Sequence, residues 1–234
     1  MNEDILVSLS PDQVAKDQQR FITKVYGWMA FALAITGFVA MYTASSQSML
    51  DVILGNRIVF FGLIIGELLL VGSLVGFLPK LSSKAATAIF ILYSVINGLT
   101  LSVVFLVYTS GSIATTFFIA GGMFALMSAY GYFTGNDLTK FGSLLFMLLI
   151  GLVIASIVNI FLNSSALYWI TTYVGIFIFT GLVAYDTQKI KNMGAVVTEG
   201  TEEHRKGAIV GALSLYLDFI NLFLMLLRIF GNRR

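Results

Sequence analysis

Seven apolar runs, each about 20 residues long, leave this chain one environment in which to fold. They extend from about Val25 to Ala44, Ile58 to Leu78, Ala85 to Tyr108, Ile113 to Phe133, Phe141 to Leu162, Leu167 to Asp186 and Ala208 to Phe230. A helix of that length crosses about 30 Å of hydrocarbon. The runs do not alternate polar and apolar residues over roughly ten positions, as the strands of a membrane barrel would. The chain is 58% apolar and 11% charged, so a water-soluble globule could not hide its apolar surface. The pattern predicts an all-α membrane protein with seven transmembrane helices embedded in a lipid bilayer.

The same pattern sets the organisation. Residues 1–24 read as a cytoplasmic N-terminal segment, 25–230 as a single seven-helix domain and 231–234 as a short tail. Glu3, Asp4, Asp12 and Asp17 make the start too long and acidic for a signal peptide, so the first helix is expected to remain in the mature protein. Connections are short except 188–206, whose Glu199, Glu202, Glu203, His204, Arg205 and Lys206 read as a solvated loop. Lys16, Arg20, Lys24, Lys80, Lys84, Lys140, Lys189, Lys191, Arg205 and Lys206 fall on the side of the N-terminus. Arg57 alone falls on the far side before the last run ends. That bias makes the N-terminus cytoplasmic. A spanning seventh helix puts Arg228, Arg233 and Arg234 on the far side, whereas a re-entrant one would return them. A run of about 23 residues favours the full span.

Several function classes drop out. The net charge of +2 gives no footprint for nucleic acid. With no cysteine there is no disulfide, thiol nucleophile or thiolate metal site, and His204, the single histidine, cannot form a metal cage. No cofactor is implied. The pairs Gly62 and Gly66, Gly72 and Gly76, and Gly207 and Gly211 read as close helix packing within the chain. Tyr26, Trp28, Tyr168 and Trp169 sit near segment ends, as an interfacial aromatic belt would.

Charge inside the segments is the chemical signal. An ionised side chain at the membrane centre costs at least about 2.5 kcal/mol and normally faces the bundle interior, a partner or a water path. Glu67, Asp186, Asp218 and Arg228 are such residues. Glu67 lies about nine residues, ~14 Å, from the far side, and Arg228 ends its helix on that side, so depth suggests a structural ion pair. Asp186 closes the sixth segment, whereas Asp218 enters the seventh by about ten residues, ~16 Å. They meet only if the sixth helix continues past Asp186 or tilts. If they do, a shared proton or a divalent cation must offset their repulsion in a low dielectric. Calcium takes six to eight oxygens. The two aspartates, Asn221 one turn on, and water would form a loose site suited to passage, with protons and calcium in competition.

These residues resemble the Bax-inhibitor family, also called the transmembrane Bax inhibitor motif family, in its bacterial branch. The resemblance rests on three stretches. One is Leu213-Ser214-Leu215-Tyr216-Leu217-Asp218-Phe219-Ile220-Asn221-Leu222-Phe223, continued by Leu226-Leu227-Arg228. The second is Tyr185-Asp186-Thr187-Gln188-Lys189-Ile190, and the third is Tyr93 to Ser102 with Asn97-Gly98-Leu99-Thr100-Leu101-Ser102. With the seven-segment layout they cover nearly the whole chain past residue 20. The resemblance implies a seventh helix central between two three-helix layers, and a pH-sensitive calcium leak in the inner membrane. By motif match Asp186 and Asp218 become the proton sensor, the gate and a transient calcium site, and Glu67 pairs with Arg228. The family's latch arginine late in the second helix is missing. Phe77-Leu78-Pro79-Lys80 stands there, and Lys80 would substitute without an arginine's forked donors.

Three other readings compete with a leak. An intramembrane aspartyl protease would need Gly-x-Gly-Asp at the second aspartate, where Leu215-Tyr216-Leu217-Asp218 stands, so no enzyme is expected. A proton/cation exchanger would favour helices broken by Gly or Pro in matching halves, and the only internal proline in a segment is Pro79, at a helix end. A non-transporting modulator of a membrane-protein partner, such as a membrane protease, would use the 188–206 loop and would survive loss of both aspartates.

Overall fold

The computed structural model describes residues 11–197 and 199–234. Seven of its helices are long and apolar enough to cross a membrane. They are α1 (Pro11–Ala44), α3 (Arg57–Gly76), α4 (Ser83–Val107), α5 (Ser110–Phe133), α6 (Thr139–Leu162), α7 (Ser165–Val196) and α8 (Glu202–Phe230). A short α2 (Gln47–Ile53) follows α1, and a single 3-10 turn at Leu78–Lys80, with Pro79 inside it, separates α3 from α4.

Local chemistry explains where these helices start and stop. Asn56, Ser82, Thr109, Ser164 and Thr201 each accept a backbone N–H in the first turn of the helix that follows. Such caps satisfy donors that have no intrahelical partner. Asn163 ends α6 in the left-handed region at φ 48°.

The last helix forms the core. In its apolar window 72% of residues are buried, against 6–44% for the other six spans. It packs on α1, α4, α5 and α7, while α3 leans on α4 and α6 on α7. Leu215, Tyr216, Leu222 and Leu227 of α8 are fully buried. α8 starts on the exposed Glu202 and Glu203, and its apolar remainder is long enough to span. It is unbroken, and its C-terminal tail is tied to the α4–α5 turn. Thr109 N–H donates to Asn232 O, Arg234 N–H donates to Val107 O, each at 3.0 Å, and Tyr108 and Arg233 form an antiparallel bridge. The continuous helix is long and apolar enough for a full span, and Arg228, Arg233 and Arg234 lie at the end remote from the start of α1.

Several sequence expectations need correction. α1 begins at Pro11, about four turns before Val25, and buries Phe21 and Ile22, so the 1–24 segment is partly the start of the first helix. Most of the solvated loop expected at 188–206 is helical instead, because α7 runs on to Val196 and α8 starts at Glu202. His204 therefore lies in the first turn of α8, buried edge-on against the Phe21 ring at 5.1 Å. The α3 glycines 62, 66, 72 and 76 meet open space, since α3 is mostly exposed. Gly207 and Gly211 do sit against α7, below Met193 and Ile190. Close approaches to a neighbouring helix backbone occur elsewhere. A Cβ on Gly98 would fall 2.8 Å from Thr36 O of α1, and one on Gly131 would strike the Ala184 backbone of α7.

Candidate functional site

The continuation of α7 past Asp186 builds the site. Each residue from Tyr185 to Ile190 has a separate task. The Tyr185 ring covers Gly142 of α6, where a Cβ would collide with it. Thr187 Oγ1 lies 3.0 Å from Ser128 Oγ of α5 and 3.4 Å from Tyr26 OH of α1, and those two hydroxyls also bond each other. Gln188 donates to Asn136 O and accepts from Leu138 N–H, both at 2.8 Å. Ile190 is buried under Gly211 of α8. Farther on, Lys191 Nζ donates to Tyr132 O at 2.8 Å. The α5–α6 connection thus grips α7 and keeps it helical beyond Asp186. In that connection Asp137 is held below the usual carboxylate range, first by the Thr139 hydroxyl at 2.6 Å and then by its N–H at 2.9 Å.

Asp186 and Asp218 line one cavity of about 890 Å³ between α6, α7 and α8, with Val75 of α3 at its edge. The two side chains enter that cavity from neighbouring helices. Asp186 is half-buried. Asp218 is buried, and its Oδ2 has no hydrogen-bond partner. Ser214 and Asn221 line the same cavity, one turn before and one turn after Asp218. The Asn221 amide nitrogen is spent on Leu217 O at 2.8 Å, which leaves its oxygen as an acceptor. Among the described residues no group of three His, Cys, Asp or Glu side chains gathers as a resident metal site would.

Lys189, three residues after Asp186 on the same helix, is the cation that lines this cavity. Sequence reasoning counted it only toward topology, although i, i+3 spacing on a continuous helix was the available signal. Lys80, the expected substitute for the latch, is exposed in the turn after α3 and is not part of the cavity wall.

Glu67 and Arg228 do not pair. Among the described residues the one salt bridge is Arg20 to Glu199, on the surface at 2.9 Å. Glu67 Oε1 accepts from Thr100 Oγ1 at 2.7 Å, and the same hydroxyl lies 3.0 Å from Asn97 O. Arg228 donates to Thr172 Oγ1 at 3.4 Å and lies 5.0 Å from the centre of the Tyr168 ring. Depth along the helices gave no facing direction: α3 packs on α4, and Arg228 at the end of α8 reaches Thr172 of α7. Glu67 instead starts a buried network. Tyr216 OH donates to Asn97 Oδ1 at 2.9 Å and lies 2.6 Å from Thr36 Oγ1, which donates to Ser94 O.

The sequence matches the family described as "Inhibitor of apoptosis-promoting Bax1" over residues 18–234. It is 55% identical over 217 residues to the "Inner membrane protein YbhL" of Escherichia coli strain K12, spanning 92% of this chain and 93% of that protein. It is 46% identical over 217 residues to a protein of Borreliella burgdorferi, spanning 93% and 94% of the two chains. With protein RP147 of Rickettsia prowazekii it shares 44% identity over 220 residues, spanning 92% and 91%.

Proposed function

The chain belongs to the Bax inhibitor family as a multi-pass inner membrane protein, and from that premise we propose that it is a pH-sensitive calcium leak gated by Asp186 and Asp218. One observation carries the reading: a buried aspartate with an unpartnered oxygen shares a cavity with a second carboxyl on the neighbouring helix. Carboxylates retained inside a span at such cost mark ion or proton paths by default.

The chemistry follows from charge. Two carboxyls in a confined, low-dielectric space repel unless a proton or a cation lies between them. Calcium accepts carboxylate, amide and water oxygens in flexible geometry, and the Asn221 oxygen supplies the amide donor. A cavity of about 890 Å³ has room for an ion that keeps several waters. Partial hydration favours release as well as entry, which conduction requires. Protons compete for the same oxygens, so calcium occupancy weakens as pH falls. Lys189 is the resident positive charge in the cavity wall. The role is transport, with no catalytic step and no bound cofactor. By the positive-inside rule the N-terminus is cytoplasmic.

Calcium entry into proteoliposomes, measured from mildly acidic to mildly alkaline pH, tests this. Wild type should admit calcium above the lipid-only blank with a pH dependence that Asp218→Asn loses. Wild type indistinguishable from the blank at every pH would overturn the reading.

A further inference from the structure

A second cavity, of about 490 Å³, opens between α1, α4 and α8 at the end of the bundle where all three begin. The three helices pack on one another and run in the same direction from that end. Each brings a basic residue to the rim: Lys24, Lys84 and Arg205. All three side chains are exposed, and none forms a salt bridge among the described residues.

What lies beneath the cations is equally regular. Four residues after Lys24 comes Trp28, four after Lys84 comes Ala88, and four after Arg205 comes Ile209, all in the cavity wall. On a helix that spacing means the same face, about 6 Å farther along the axis. The cavity is therefore layered, with positive charge at the membrane surface and an aromatic and aliphatic wall one turn deeper. Trp at that level suits the headgroup boundary.

The rim is held by a polar tie. Glu202 Oε2 accepts the Ser83 N–H at 3.0 Å and joins the start of α8 to the start of α4. This fixes the spacing of Lys84 and Arg205. Glu202 offsets one of the three charges, and the rim stays positive.

We propose that this cavity binds the headgroup of an anionic phospholipid, with the phosphate at Lys24, Lys84 and Arg205 and the upper acyl chain against Trp28 and Ile209. A free phosphate would use the cations and leave the apolar wall bare to water. A lipid satisfies both layers, and basic pockets between transmembrane helices bind such headgroups. The site stands apart from the Asp186 and Asp218 cavity, and its occupancy does not depend on whether the protein leaks calcium.

The test uses the full chain purified in detergent. Retained lipid is counted by native mass spectrometry, and thermal stability is followed while phosphatidylglycerol, phosphatidylcholine or inorganic phosphate is added. Phosphatidylglycerol should bind and raise the melting temperature, whereas phosphatidylcholine and inorganic phosphate should not. Lys84→Glu with Arg205→Glu should weaken phosphatidylglycerol binding by more than about tenfold. Both sites lie in first helical turns, where acidic residues are tolerated, so the variant should fold. Lys84→Gln with Arg205→Gln repeats the loss without adding negative charge. Lys140→Glu, at the start of α6 on the same side, should bind as wild type does. Equal binding of the two lipids, equal loss in Lys140→Glu, or full stabilisation by inorganic phosphate would each overturn the proposal.

Discussion

Tyr216 donates its phenolic proton to Asn97 Oδ1 at 2.9 Å, two residues before Asp218 on the same helix. At about 100° per residue those two α8 side chains point roughly 200° apart. One face of the core helix is thus tied to α4 and α1 by a buried hydrogen-bond network, while the other faces the cavity. The two faces should separate experimentally. Tyr216→Phe leaves Asn97 Oδ1 without this donor in a buried setting, a loss of about 1–3 kcal/mol. Unfolding in detergent should show that loss. Calcium entry by the folded fraction should keep its pH dependence, and a variant as pH-blind as Asp218→Asn would contradict the separation.

Glu67 and Arg228 should behave as independent residues. Glu67→Gln, Arg228→Gln and the double variant form a cycle whose coupling is within about 0.5 kcal/mol of zero, because the pair shares no contact. The cycle of Glu67→Gln with Thr100→Val should give a larger coupling, since those residues bond at 2.7 Å. Thermal or denaturant unfolding reads both. A strong Glu67–Arg228 coupling would restore the ion pair.

What could be read from the sequence tracks what the bilayer dictates. Hydrocarbon thickness sets the length of an apolar run, so seven spans were legible, and five of them start on an Asn, Ser or Thr cap. The end of α7 was not legible. Residues 188–196 are polar enough to read as loop, and they are helical because Gln188 and Lys191 bond to the α5–α6 connection and Gly194 packs on Phe21. Those are tertiary contacts between residues far apart in sequence. The same gap hid the site: Asp186 and Asp218 could be named from charge, while the cavity that both line was not legible. For Glu67, hydropathy gave a depth and no facing direction, so the partner came out wrong.

Glycine positions give a packing test of the same kind. Gly98→Ala and Gly131→Ala place a Cβ against backbone atoms of α1 and α7, which cannot move like a flexible side-chain end. Each should cost about 1–3 kcal/mol in unfolding measurements. Gly66→Ala and Gly72→Ala meet open space and should be neutral, or slightly stabilising through helix propensity. A large loss at Gly66 or Gly72 would mean that α3 packs against something beyond this chain.

Lys189 offers a quantitative check on the gate. Its exposed side chain follows Asp186 by three residues on the same helix and lines the same cavity. A cation entering between Asp186 and Asp218 must do so against that charge. Lys189→Gln removes the opposition without adding an acid, and should increase calcium entry at a fixed external concentration by roughly tenfold or less. Because Lys189 is exposed, the gain should shrink as ionic strength rises from low salt to about 1 M, where charges farther apart than about 3 Å are screened. Gln188→Ala provides the contrast. It releases the hydrogen bonds to Asn136 and Leu138, so its effect on entry should come through a looser α7 and should persist at high salt. Calcium-entry rates for the two variants at low and high salt decide the matter: a Lys189→Gln effect that salt leaves unchanged would show that this lysine acts through structure and not through its charge.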